Sequence, residues 1–140
     1  MNKIQVTAQQ RANALDALNN MWPSVPAKNV VRGLKVWRGG REKDKATQPS
    51  CGSVACFGGW CAWWPNFKAQ GLQVDDRGMP YVPGAERSAA VVLFGHFGLF
   101  YARGNGYQRE EMDRGFVRGT DHQLVTHRLK WLIENSEVVS

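Results

Sequence analysis

Three cysteines and three histidines are the residues of this sequence whose types could do chemistry. Cys51, Cys56 and Cys61 recur at every fifth residue within Ser50–Trp64, SCGSVACFGGWCAWW. His96, His122 and His127 are spread over the second half. A thiolate at a helix N-terminus is a nucleophile, because the helix dipole lowers its pKa, and a histidine could serve as its base. Cysteine and histidine together could instead hold zinc. Structural zinc sites favour close pairs such as C-x₂-C. On a helix, successive steps of five turn the side chain by about 500°, so the three thiols drift around the axis and do not converge. His122 and His127 share the five-residue offset and read as surface or cap residues.

A cysteine-dependent enzyme is one reading. Cys51-Gly52-Ser53 is similar to the Cys-Gly-Ser of papain-like proteases. The second cysteine and the Trp-Ala-Phe that follow in that family are missing, and the chain is too short for the distant histidine. The glycines form no phosphate cradle: G-x-x-x-x-G-K-[ST] is absent, and Gly104-Asn105-Gly106 is too short to count. Glu110, Glu111 and Asp113 read as a solvated face, not as paired catalytic carboxylates. Buried packing thiols account for the cysteines more simply. On that reading they are reduced, and no metal or cofactor is required.

The stretch that carries the cysteines is also the best centre for a scaffold. Between the thiols lie only small or large apolar residues and Ser53, with no charge. The pattern predicts a buried helix over about 53–64, capped by Ser50 or Ser53 and stopped by Pro65. Gly58 and Gly59 each cost roughly 1 kcal/mol against alanine in a helix interior. A segment lying close against Gly52, Ala55, Gly59 and Ala62 would offset that cost.

Other elements would cover this helix. Thr7 can cap a first helix to about Asn20, with Ala12, Leu15 and Leu18 as its apolar stripe, joined by Ala14 and Met21. Trp22-Pro23 ends it. Val30, Val31, Leu34 and Trp37 could face inward from a short second helix. A charged loop follows at about 39–49. Leu72–Val74 and Met79–Val82 alternate around Asp75-Asp76-Arg77-Gly78, which predicts a small β-hairpin over about 72–82. A helix over about Ala85–Leu93 places Glu86 in its first turn. LFGHFGLFYARGNG then suggests a packed, irregular segment. A short helical turn falls near Arg109–Arg114. Thr120 and Gln123 form a capping box for a final helix. Val125, Leu129, Leu132 and Ile133 are its inward face, with Trp131 at the edge.

Composition bounds the class. A chain of 140 residues, 43% hydrophobic, fits a single globular domain with a real core. No run approaches the roughly 18 apolar residues of a membrane span. The polar start MNKIQVTAQQRAN predicts no signal peptide. An odd cysteine count argues against a disulfide framework, which points to a reducing cytoplasm. The net charge of +6 is lopsided. Residues 1–70 hold ten Lys/Arg against three Asp/Glu, whereas residues 71–140 hold eight against nine. The excess concentrates in Arg32, Lys35, Arg38, Arg41, Lys43 and Lys45, beside Trp37. Such a patch attracts an acidic protein surface or a polyanion, and Trp22 and Trp37 could stack on bases. A solvated loop accounts for the same charges.

Cys51, Gly52, Ser53, Ala55, Cys56, Gly59 and Trp60 form the pattern C-G-[TS]-x-A-C-x-x-G-W. In this motif the sequence resembles a group of small, mostly uncharacterised proteins of bacteriophages and bacteria. The outline is similar elsewhere: an N-terminal helix ending in a proline loop, an alanine-rich helix before a Leu-Phe segment, and a C-terminal helix bearing Arg128 and Trp131-Leu132-Ile133. Cys61 and Trp63-Trp64 depart from the pattern. The resemblance implies a small helical domain and a phage origin, with no assigned reaction.

The sequence therefore leads to a mainly α, compact single domain over 1–140. The leading function is a non-catalytic phage accessory protein in the host cytoplasm that binds and inhibits a host macromolecule. Its binding residues would be Arg32, Lys35, Trp37, Arg38, Arg41, Lys43 and Lys45. The alternatives are nucleic-acid binding through the same patch and a cysteine-dependent enzyme.

Overall fold

The chain enters through a short strand, β1 (Ile4–Val6), and Thr7 then starts helix α1 (Ala8–Asp16). The computed structural model describes residues 3–26, 57–75, 79–100, 111–116 and 118–139. A π-helical turn (Ala17–Met21) and a 3₁₀ turn (Trp22–Ser24) continue α1. Helices α2 (Phe57–Trp63) and α3 (Pro65–Ala69) follow, then strands β2 (Gln73–Val74) and β3 (Pro80–Tyr81). Helix α4 (Ala89–Phe94), a 3₁₀ turn (Phe97–Phe100), helix α5 (Asp121–Glu134) and strand β4 (Ser136–Val138) complete the order. The fold is mainly helical and compact, with a small antiparallel strand pair.

The central helix is buried from Phe57 to Ala62, with Trp63 half-buried at its end. Phe57, Gly58, Gly59, Trp60, Cys61 and Ala62 are all inaccessible to solvent or nearly so. The part predicted over 53–56, and its serine cap, lie outside the described residues. Pro65 does more than stop the helix. It forces Trp64 into an extended conformation (φ −69°, ψ 127°) and then supplies the first position of α3, where its missing N–H costs nothing.

An aromatic cluster forms the core around α2. Phe57 packs edge-on to Trp22 (centroids 5.3 Å apart) and to Phe100 (5.7 Å). Phe94 lies 5.8 Å from Phe57 and meets Phe67 at 5.4 Å and Phe100 at 6.1 Å. Such edge and tilted pairs each add about 0.5–1.5 kcal/mol beyond burial. The hairpin sits where the alternation predicts it. Gln73 pairs with Tyr81 and Val74 with Pro80, antiparallel, while turn residues 76–78 lie outside the described residues.

Two local expectations are corrected. The inward face of α1 is Asn13 and Ala14, continued by Ala17 and Met21; Ala12 and Leu15 are exposed and Leu18 only half-buried. Buried Asn13 has polar partners on that face, in Gln70 and the Leu93 carbonyl. Helix α4 starts at Ala89, not Ala85: Ser88 stays extended at its N-cap (φ −60°, ψ 154°), so Glu86 lies before the helix. The sequence reading also missed a parallel pair. Ile4, Gln5 and Val6 align with Ser136, Glu137 and Val138, and Ile4 N–H donates to the Asn135 carbonyl at 2.8 Å.

Gly95 ends α4 in the left-handed conformation (φ 79°), the usual role of glycine at this position. A Cβ there would lie 2.8 Å from Val6 Cγ1 and 2.9 Å from Gln10 Oε1. Gly84 has nearly the same φ (80°) with nothing within 4 Å of such a Cβ. Gly84→Ala should therefore cost only the backbone term of about 1–2 kcal/mol. Gly95→Ala should cost clearly more, because Val6 or Gln10 must also move. Urea midpoints of the two variants test this; equal losses would mean that the β1–α4 contact is not tight.

Candidate functional site

Helix α1 uses its side chains to close the ends of other helices. Thr7 Oγ1 accepts from Gln10 N at 3.0 Å, and Gln10 Oε1 accepts from Thr7 N at 2.8 Å. This reciprocal cap fixes the Gln10 side chain and leaves its amide nitrogen to donate to the Val91 and Val92 carbonyls, at 3.1 and 3.3 Å. Asn13 Nδ2 donates to the Leu93 carbonyl at 2.8 Å. All three are carbonyls of the last turn of α4; Val91 also accepts from the capping Gly95 N–H at 2.9 Å, whereas those of Val92 and Leu93 lie beyond the reach of the helix's own amides. Arg11 Nη1 donates to the Ile133 carbonyl at the end of α5, at 3.1 Å, and its positive charge suits the negative end of that helix.

Two polar clusters extend from α1. Asn13 and Gln70 exchange amide hydrogen bonds of 2.9 and 2.8 Å, and Gln9 donates to Asn13 Oδ1 at 2.9 Å. The Asp16 carboxylate accepts from Trp64 Nε1 at 2.8 Å, Asn66 Nδ2 at 2.9 Å and Asn20 Nδ2 at 2.8 Å. Burial alone would raise its pKa. The three donors, Asn20, Trp64 and Asn66, outweigh burial and hold it below the usual carboxylate range. Trp64, which the motif left unmatched, thus ties α1 to the start of α3.

The three histidines also serve structure. His122 stacks on Trp22 (centroids 4.7 Å apart, planes 18° apart). Its Nε2 lies 2.9 Å from the Trp22 carbonyl, while Trp22 Nε1 donates to the His122 carbonyl at 2.8 Å. His127 Nε2 is 3.1 Å from the Met112 carbonyl. His96 Nδ1 accepts from Gly98 N at 3.0 Å. His122 and His127 are therefore half-buried anchors between segments, correcting the surface or cap reading. Trp22 is wholly buried and presents no ring on which a nucleic-acid base could stack.

Asp113 is likewise corrected. It is the bidentate partner of Arg128, with Nε to Oδ1 at 2.9 Å and Nη2 to Oδ2 at 3.0 Å. Arg128 is completely buried, and the Asp113 side chain is 15% exposed. The sequence carries a signal for this pair. Arg128 sits on the inward face of α5 with Leu124, Val125, Leu129 and Leu132, and a cation on an apolar stripe requires a counter-charge. Its partner is fifteen residues away on the 111–115 turn, which local pattern does not reveal.

Arg32, Lys35, Trp37, Arg38, Arg41, Lys43 and Lys45 lie outside the described residues, as do Cys51, Gly52, Ser53, Ala55 and Cys56. Gly59, Trp60 and Cys61 are buried in α2. Among the described residues, no three His, Cys, Asp or Glu side chains could jointly hold a metal ion, and no helix is long and apolar enough to cross a membrane. No protein-family model, curated protein or solved structure matches the chain.

The ion pair yields a comparison of two variants. Asp113→Ala leaves the buried guanidinium without this carboxylate and should cost about 3 kcal/mol or more. Arg128→Met removes the charge as well and should cost markedly less. Chemical denaturation reads both. A larger loss for Arg128→Met would mean that the arginine contributes mainly by packing.

Proposed function

We propose that this protein is a non-catalytic phage accessory protein that binds and inhibits a host macromolecule, working in the host cytoplasm. Recognition falls to the basic segment 32–45, with Arg32, Lys35, Trp37, Arg38, Arg41, Lys43 and Lys45 meeting an acidic protein surface. One observation carries the non-catalytic part: each histidine, the only ordinary base near neutral pH, has a ring nitrogen engaged with the backbone. His122 and His127 in this way join separate segments, and a ring nitrogen so engaged is poorly placed to shuttle protons for a cysteine. The resemblance at Cys51–Trp60 supports the phage origin. The lopsided charge supports the partner, since complementary charge speeds encounter. Nucleic acid is the weaker partner, because burial withdraws Trp22 from the pair of aromatics that would stack on its bases.

The test begins by capturing the partner from host lysate. Association rates are then measured for wild type and the triple variant Arg38→Glu, Arg41→Glu, Lys43→Glu at two salt concentrations. The variant should melt like wild type, as expected if these charges form a solvated segment. It should associate more slowly at low salt. The difference should shrink as the Debye length falls from about 10 Å at 0.1 M to about 3 Å at 1 M. Equal rates at low salt would place recognition elsewhere. A wild-type salt slope of about 0.9 per phosphate contacted would mark duplex DNA as the partner.

A further inference from the structure

His96 stands at a junction of four segments. It follows Gly95, the left-handed end of α4, and precedes the 3₁₀ turn Phe97–Phe100. Its ring packs edge-on to Trp131 of α5, with centroids 5.6 Å apart. A Cβ on Gly98 would lie 2.9 Å from His96 Cε1, 3.1 Å from its Nδ1 and 3.1 Å from Met112 Sδ. The ring, the turn and the 111–115 turn are thus in close contact. The turn carries Leu99 and Phe100 into the core, both nearly inaccessible to solvent.

Hydrogen-bond direction fixes the state of the ring. The Gly98 backbone N–H can only donate, so Nδ1 must offer a lone pair. The folded ring is therefore neutral, with its proton on Nε2. Protonation would set a second N–H at Nδ1 against the Gly98 N–H, replacing an attraction by a repulsion. The geometry points to His96 as a pH-operated latch: the neutral ring holds the 97–100 turn in the core, and the imidazolium releases it.

Among the described residues, the charges around the ring agree with this direction. The 111–115 turn brings Glu111, Asp113 and Arg114, of which Asp113 is held by Arg128. Helix α5 brings His127, Arg128, Lys130 and Glu134 around Trp131. Helix α4 and the 97–100 turn bring no titratable side chain. Burial lowers the His96 pKa, and attraction by Glu111 offsets this only in part. Stability from the latch is then whole above the ordinary histidine value of about 6.5 and is lost as pH falls from there through the lower folded value. His127 differs in geometry: its Nε2 faces a carbonyl, to which it donates.

Nitrogen NMR of wild type at pH 7.5 should find the His96 proton on Nε2. Between pH 7.5 and 5, exchange of the Gly98 amide, corrected for its intrinsic pH dependence, should accelerate at least tenfold. His127→Gln should keep that response and His96→Gln should lose it. A proton on Nδ1 at pH 7.5 would overturn the latch, as would pH-independent protection of Gly98 in wild type. Both wild-type readings decide the matter even if His96→Gln does not fold.

Discussion

The carbonyls at the ends of short helices are the constraint on which this structure depends. Helix α4 is six residues long and its last internal bond is from the capping Gly95 N–H to Val91, so the carbonyls of Val92, Leu93 and Phe94 face no amide of the helix. Left unmet in a buried position, such a group costs about 1–3 kcal/mol. The chain meets the problem with α1. Gln10 and Asn13 supply amides to α4, and Arg11 supplies a cation to the end of α5. Parallel pairing of β1 with β4 brings α1 and the end of α5 into one place. The geometry of α1 is thus set by the partners that it satisfies as much as by apolar burial.

The same economy runs through the rest of the described residues. Arg128 requires Asp113, which docks the 111–115 turn on α5. Trp22 and His122 exchange hydrogen bonds across the core. Asp16 gathers Trp64 and Asn66 onto α1. Polar side chains that could have been read as chemistry hold segments in register instead. On the proposed reading, that division leaves recognition to the cation-rich segment 32–45, so that fold and partner binding draw on different residues.

Local signals were legible in the sequence and distant ones were not. The capping box of α5 is written in Thr120 and Gln123, the hairpin in its alternation, and the break after α4 in Gly95. Buried Asn13 and Arg128 each have partners that no local period reveals; Gln70 lies 57 residues from Asn13. Their trace is indirect, a polar residue on an otherwise apolar face. The β1–β4 pair joins strands of three residues from opposite parts of the chain, too short for alternation to declare itself. The start of α4 slipped because Ser88 takes an extended cap conformation, and Pro83-Gly84 alone does not set the boundary. The proposed binding residues are marked in the sequence by charge, with Trp37 beside them, and lie outside the described residues, so fold and site are not equally legible.

The most direct test is the stability of Asn13→Ala. This substitution favours the helix by propensity and removes little volume, so a stripe read from apolar residues alone predicts no loss. If helix ends are held by α1, the variant strips the donor from the Leu93 carbonyl and both bonds from Gln70. Urea denaturation should then show a loss of about 1–3 kcal/mol, with faster amide exchange in the last turn of α4. An unchanged or raised midpoint would contradict the central role given to these contacts.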